Sequence, residues 1–288
     1  MRIPSLLKDG RVHISCEIFP PKEFSGLNQA VNVAGEIAAL SPSFISVTYG
    51  AAGNTAAHTL EIARAVKEAG CTPLYHLTCA ASAMDQIRQR LGELRAEEIE
   101  NILALRGDIP EGTVFPGPRQ YRYASDLVAQ VKEFGGFCIG AACYPEGHPE
   151  SPSKDKDLDH LRRKVDAGAD FLTTQMFFDN NILYNFLYRA LQKGISVPVA
   201  AGIMPVVNAG QIKRICSLSG ASLPPRFAAI VDRFSQNPRA MRQAGIAFAT
   251  EQIIDLIANG VSNIHIYTMN RPQIAAAIFA NLSDILGE

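Results

Sequence analysis

The 288 residues carry a formal net charge of −1 and are 47% hydrophobic, ordinary usage for a chain that buries a sizeable core. No basic surplus exists to neutralise phosphates, which argues against a nucleic-acid partner. No apolar run approaches the ~20 residues of a membrane helix, and the N-terminus lacks a signal-peptide core, so a cytoplasmic location is expected.

In chain order, eight short apolar or β-branched runs alternate with helical patterns. Run 13–19 precedes i, i+3, i+4 apolar spacing at 27–40, run 44–49 precedes 59–69, and run 72–78 precedes 83–95. Run 101–106 leads to a helix at 125–134, 137–144 to one at 157–167, and 171–178 to one at 182–193. Run 197–203 leads to 209–218 and, past a Pro224–Pro225 segment read as irregular, to a long helix at 239–258. Run 263–268 is followed by a last helix at 272–285. Strands alternating with helices build βα units and a parallel sheet covered on both faces. Gly70, Gly168, Gly194 and Gly260 stand where helices should stop.

Eight such units predict a single (β/α)8 barrel over residues 1–288, with chemistry at the C-terminal strand ends. The Pro- and Gly-rich stretch 109–122 and the loop 145–156 then lie on that face. The alternative is an open doubly wound sheet, but its G-x-G-x-x-G signature is absent, as is a G-x-x-x-x-G-K-[ST] loop. Six cysteines form no C-x-x-C pair and read as reduced thiols.

Seven of the eight strands end in polar or titratable groups. Glu17 is a carboxyl inside an apolar strand; desolvation favours its protonated form, which suits a general acid. The alternative is a salt bridge with a basic neighbour. Arg106 and Asp108 flank Gly107, either as a self-contained ion pair or as a place where a ligand approaches the backbone closely. His76 is read as a core histidine or a site residue, and His148 as a ligand contact or loop brace. No H-E-x-x-H, zinc-type spacing or G-x-S-x-G elbow occurs, so no metal site and no nucleophilic triad are expected. Arg163 and Lys164 are either a solvated helix face or holders of an anionic group such as a pyrophosphate.

Ten motifs run in order from strand one to the end of strand eight: E-x-F-P-P, V-T-Y-G-A, H-L-T-C, A-L-R-G-D, Y-A-S-D-L, A-x-Y-P-E-x-H-P, R-K-V-D-A-G-A-D, T-Q-x-F-F-D, G-I-x-P and Y-T-x-N-R. Together they resemble bacterial methylenetetrahydrofolate reductase, a flavin-dependent barrel of one-carbon metabolism and methionine biosynthesis. The resemblance implies FAD on the C-terminal face, held by Thr48, His76, Arg106, Gly107, Asp108, Tyr123, Ala124, Ala142, Tyr144, His148, Asp157, His160, Arg163 and Lys164. Within that set, Arg163 and Lys164 would meet the pyrophosphate and Asp157 the ribose.

The resemblance further implies Glu17 as the general acid and Asp108 as the carboxylate near pterin and flavin, with Gln175 and Arg271 as substrate contacts. Hydride would pass from NAD(P)H to flavin N5 and on to 5,10-methylenetetrahydrofolate, in ping-pong order, giving 5-methyltetrahydrofolate. One alternative is the same flavin barrel working as a methyltetrahydrofolate oxidase or drawing electrons from a partner protein. Another is a flavin-free, pterin-binding barrel of methyltransferase type.

The sequence departs from that pattern in places. Ala209 stands where relatives carry an aromatic ring, Cys16 and Ile18 replace aromatics beside Glu17, and His160 replaces an asparagine. The sequence ends with its barrel, so no regulatory domain and no control by S-adenosylmethionine is expected. The apolar helix stretch 274–282 permits a homo-oligomer, or simply packs on the sheet.

Overall fold

All eight apolar runs form strands in the computed structural model, which describes residues 1–21, 23–49, 56–80, 82–109, 112 and 114–287. The strands are β1 (His13–Ile18), β2 (Ile45–Val47), β3 (Pro73–Thr78) and β4 (Asn101–Leu105), then β5 (Cys138–Cys143), β6 (Phe171–Thr174), β7 (Val199–Ile203) and β8 (Asn263–Tyr267). Each pairs in parallel with its chain neighbours, and β1 returns to β8 with His13 opposite Asn263 and Glu17 opposite Tyr267. The sheet is a closed barrel, which excludes the open doubly wound alternative.

The predicted helices appear within a few residues of their expected bounds. They are α2 (Leu27–Ala38), α3 (Ala56–Glu68), α4 (Met84–Ala96), α5 (Ala124–Phe134) and α6 (Lys154–Asp166). Next come α7 (Asn180–Gln192), α8 (Ala209–Ser219), α10 (Pro238–Ala258) and α11 (Pro272–Leu286). Gly70, Gly168, Gly194 and Gly260 all take positive φ at the joints. On α11, Ile274, Ala275, Ile278, Phe279 and Leu282 are buried within the chain, so packing on the barrel accounts for that apolar face. No helix of the described residues is long and apolar enough to cross a membrane.

Two helices were not anticipated. The Pro224–Pro225 segment, expected to be irregular, opens α9 (Pro225–Phe234), with Pro225 in the first turn, where a missing N–H costs nothing. Phe227 of α9 is fully buried and stacks on Phe248 at 3.9 Å between centroids. The short α1 (Ile3–Leu6) closes the N-terminal end of the barrel. Its Ile3 packs with Phe44, Leu74, Leu103 and Phe171, and its N–H donates to Asn101 Oδ1 at 3.1 Å. Strand six also stops earlier than expected, at Thr174. The carbonyl of Phe177 is taken by the side-chain amide of Gln252 on α10 at 3.0 Å, and not by a neighbouring strand.

Side chains alternate along each strand, and this alternation places the site. Ile14, Cys16 and Ile18 of β1 lie in the apolar cluster that includes Ala34 and Ile37 of α2. The departures at Cys16 and Ile18 therefore sit in the helix layer. Ser15 and Glu17 point the other way, into the barrel. Above the apolar plug the interior becomes polar.

Gly245 decides how closely α10 approaches the loop after β7. A Cβ there would lie 1.9 Å from the carbonyl oxygen of Val206, whereas Gly35 on α2 has nothing within 4 Å of its Cβ position. Gly245→Ala should thus destabilise the fold by about 2–3 kcal/mol or more, because backbone must move. Gly35→Ala should instead stabilise it by about 1 kcal/mol through helix propensity alone. Chemical denaturation of the two variants checks the opposite signs.

Candidate active site

Glu17 belongs to an apolar strand, but its side chain sits among polar groups contributed by neighbouring strands. Its side chain is 20% exposed, and Oε2 lies 3.7 Å from His76 Nε2 and 3.8 Å from His265 Nε2. Ser46 Oγ donates to the same oxygen over a long 3.5 Å. No Lys or Arg pairs with Glu17 among the described residues; its basic neighbours are the two histidines. The Glu17 carbonyl accepts a 2.6 Å hydrogen bond from Thr268 Oγ1. One turn of chain later, Asn270 grips the backbone of Phe19 twice: its Oδ1 accepts from the N–H at 2.9 Å, and its Nδ2 donates to the carbonyl at 2.8 Å.

His265, only 1% exposed, is held through both ring nitrogens. Nδ1 is 2.7 Å from Ser15 Oγ, and Nε2 is 3.3 Å from Ser46 Oγ. Ser15 Oγ donates its own hydrogen to the Ile264 carbonyl at 3.1 Å. A hydroxyl has one hydrogen, so Nδ1 donates to Ser15 Oγ, and Nε2 faces Ser46 Oγ and the Glu17 carboxyl. Tyr267 stands against the His265 ring edge at 5.4 Å and donates to the Thr174 carbonyl at 2.5 Å. Gly202 gives that ring its place, since a Cβ there would come within 2.7 Å of it.

Beyond these residues opens a cavity of about 790 Å³ at the C-terminal strand ends, within the ~300–1,000 Å³ typical of small-molecule sites. Sixteen of the seventeen residues singled out from the sequence line it; Arg271 is the exception. Lys164 of α6 is turned inward, its Nζ donating to the Ala142 carbonyl at 2.8 Å, so it is not part of a solvated face. Burial lowers its pKa, against the opposing influence of Cys143 and Asp157. Arg163 and His160 stand exposed at the rim. Asp157 accepts from Ser151 Oγ at 2.9 Å.

On the opposite wall, Arg106 makes a bidentate pair with Glu150, at 2.5 and 2.7 Å, and leaves Asp108 exposed without an ion pair among the described residues. The self-contained Arg106–Asp108 pair is thereby excluded. Gly107 takes φ +81°, and a Cβ there would lie 2.9 Å from Thr78 Cβ, so packing on Thr78 as well as the turn requires glycine. Burial pushes the Tyr144 phenol up to about 12, with its ring 4.6 Å from that of His148. Burial also lowers the pKa of His148, whose Nδ1 accepts from the Glu150 N–H at 3.1 Å.

Tyr123 caps α5, its N–H bonded to Asp126 at 2.9 Å, with Ala124 beginning the helix. Thr48 follows β2, and Tyr49 ends the described part of its segment; Gly50 and Ala51 of V-T-Y-G-A lie outside the described residues, as do Pro110, Glu111 and Thr113 of the loop after β4. Gln175 reaches the cavity while its Oε1 accepts from the Met176 N–H at 2.9 Å. No group of three or more metal-ligating side chains occurs among the described residues. All six cysteines are free.

Sequence reasoning passed over Ser15, Ser46, His265, Thr268 and Asn270. The signal was there in the two-residue alternation of I-H-I-Y and of I-S-C-E-I, which places one polar set on one strand face.

The chain matches the family model described as methylenetetrahydrofolate reductase over residues 2–283. It is 36% identical to 5,10-methylenetetrahydrofolate reductase of Escherichia coli (strain K12), across 93% of this chain and 90% of that protein. It is also 36% identical to methylenetetrahydrofolate reductase (NADH) 1 of Zea mays, across 95% of this chain. The chain spans about half the length of such plant relatives, 49% in that case. Among solved structures, a Clostridium thermocellum protein described as binding two copies of 5-methyl-5,6,7,8-tetrahydrofolic acid superimposes with TM-score 0.64. That superposition covers 99% of both chains at 14% identity, a likeness of fold.

His76 makes the site sensitive to acid. Burial lowers its pKa from 6.5 to about 4; nearby Glu17 opposes the shift and His265 reinforces it. The folded value lies below the unfolded one, so between these two values the unfolded chain binds the extra proton. Stability should therefore fall as pH drops from 6.5 towards 4, by up to roughly 3 kcal/mol at ~1.4 kcal/mol per unit. His76→Gln should flatten that part of the stability–pH curve, measured by urea denaturation. Curves of equal steepness would show that His76 is not the group responsible.

Proposed function

The chain belongs to the methylenetetrahydrofolate reductase family, and from that premise we propose that it interconverts 5,10-methylenetetrahydrofolate and 5-methyltetrahydrofolate with FAD as its cofactor. The observation that carries this reading is the convergence of Glu17, Asp108 and Gln175 on one cavity with the cationic pair Arg163 and Lys164. Lys164 is a desolvated ammonium whose only oxygen partner among the described residues is the neutral Ala142 carbonyl, so an incoming pyrophosphate would restore what burial has cost it. Arg163 at the rim, Asp157 beside Ser151, and the Tyr144–His148 corner suit the rest of a dinucleotide. FAD, when bound, supplies the reversible hydride chemistry.

The chain's own residues supply binding and protons. Glu17 Oε2 delivers a proton to a nitrogen of the methylene folate, opening the five-membered ring to the reactive iminium form. Ser46 lies behind that oxygen and donates to it, with His265 Nε2 alongside, while Thr268 and Asn270 hold the Glu17–Phe19 backbone in place. His76, neutral at pH 7, leaves Nε2 buried and without a hydrogen-bond partner beside Glu17, ready to meet a bound molecule. Asp108 and Gln175 orient the pterin from either side. Both reactants would use the one cavity in turn, giving ping-pong order with NAD(P)H. A flavin-free pterin site is disfavoured, because a pterin gives Arg163, Lys164 and Asp157 no pyrophosphate or ribose to hold.

Ala209 favours a second reading of the electron source. It begins α8 with a methyl group where relatives stack a ring, which would suit a protein donor or operation as a methyltetrahydrofolate oxidase. Rapid mixing with NADH and with NADPH decides, since fast flavin reduction by either removes the case for a protein donor.

Glu17→Gln tests the central assignment. The variant should retain flavin and its reduction by the electron donor, while folate turnover falls by ~10²-fold or more, the usual worth of a general acid. Undiminished folate turnover would remove Glu17 from the mechanism. Loss of flavin together with turnover would instead show a structural role.

A further inference from the structure

Among the described residues, two buried polar side-chain atoms on the main cavity have no hydrogen-bond partner: Nε2 of His76 and Oγ1 of Thr173. His76 at least faces Glu17, at 3.7 Å. Thr173 is 4% exposed, and its one polar side-chain atom bonds nothing in the described chain. Other orphaned oxygens, those of Asn180, Gln252 and Asn263, belong to amides whose nitrogen is bonded elsewhere. Burying an unbonded hydroxyl costs stability, and each such group calls for a partner.

The sheet explains why no partner comes from the neighbouring strands. Thr173 lies on β6 opposite Ala142 of β5 and Ala200 of β7, and neither alanine carries a polar side-chain atom. Inward residues alternate along a strand, so Thr173 stands between Phe171, which belongs to the apolar plug, and Gln175, which reaches the cavity. Its chain neighbour Thr174 differs, since that Oγ1 accepts from the Gly202 N–H at 2.8 Å. A β-branched side chain suits the strand at Thr173, but valine has the same shape without a hydroxyl to bury. Packing therefore does not explain the hydroxyl.

We propose that Thr173 is a binding residue for the flavin ring, its hydroxyl donating a hydrogen bond to a ring nitrogen or carbonyl at the deep end of the cavity. This assignment rests on the function proposed above. Depth selects the flavin over the pterin. Gln175, assigned to the pterin, is two residues nearer the mouth, roughly 6–7 Å along the chain at ~3.3 Å per residue. A cofactor that stays bound while reactants exchange above it belongs in the deeper layer, where Thr173 and Ala142 lie side by side. Leu103 and Leu105 line the same cavity. An apolar floor with a single hydroxyl matches a flat ring, which is apolar on its faces and polar at its edges.

Thr173→Val and Thr173→Ser separate the hydroxyl from the shape. Freed of flavin, the valine variant should melt about 2 °C or more above the wild type, because an unbonded buried hydroxyl is gone. The same variant should bind FAD about tenfold more weakly, read by quenching of flavin fluorescence, because the ring loses its donor. Its holoenzyme should also show a shifted visible flavin band. The serine variant, which keeps the hydroxyl, should retain the wild-type band and an FAD affinity near that of the wild type.

A merely structural hydroxyl moves these readouts differently: its loss lowers the melting temperature and leaves FAD affinity and the flavin band unchanged. That result overturns the proposal. So does a weakening confined to 5-methyltetrahydrofolate with FAD affinity unchanged, which would give the hydroxyl to the pterin. A wild type that takes up no FAD would bring down the cofactor reading itself, and this assignment with it. Equal FAD binding by the wild type and the valine variant would bring down this assignment alone.

Discussion

The closure of β1 against β8 is the constraint on which the site depends. It joins residues some 250 positions apart: Ser15 with His265, the Glu17 carbonyl with Thr268, and Phe19 with Asn270. In an open sheet β1 and β8 would not meet, and Glu17 would lose its neighbours on one side. Closure also explains why so much polar chemistry is tolerated in a barrel interior. Each of Ser15, Ser46 and His265 finds a partner on an adjacent strand, so burial does not leave them unsatisfied. Met269 and Asn270 both adopt positive φ, a left-handed pair without glycine, and the two Asn270 hydrogen bonds to Phe19 help hold it there.

Cationic side chains are used in two different ways on the C-terminal face. Arg163 and Lys164 lie in the last turn of α6, where the helix dipole welcomes positive charge. Their location there has a structural explanation, and only the inward turn of Lys164 towards Ala142 points to a ligand. Arg239 and Arg271 stand at helix starts, where the dipole works against them, and Arg242 lies a turn further along α10. Arg239 and Arg242 are exposed to solvent, which is explanation enough for an unpaired arginine.

Much of this was legible in the sequence, for physical reasons that can be named. Apolar strand runs and helix-stopping glycines announced a barrel, and residues at strand ends necessarily converge once the barrel closes. Hence Glu17, His76, Arg106, Gln175 and Lys164, spread over most of the chain, line one cavity. What stayed hidden depends on partners. Arg106 pairs with Glu150 rather than Asp108 because the loop after β5 folds back, which spacing does not encode. α9 was masked by a Pro-Pro pair that reads as a breaker but serves as a helix start. His265 was overlooked because an apolar run was read as uniformly buried, when its alternate positions face a polar interior. Arg271 has the right motif but does not line that cavity.

The most direct test of this account is anaerobic addition of 5-methyltetrahydrofolate to the purified protein while its visible spectrum is recorded. The account predicts a flavin chromophore bound as isolated, bleached by the folate and restored on admission of an electron acceptor. A colourless protein that does not take up FAD, or a flavin spectrum that the folate leaves unchanged, would contradict it.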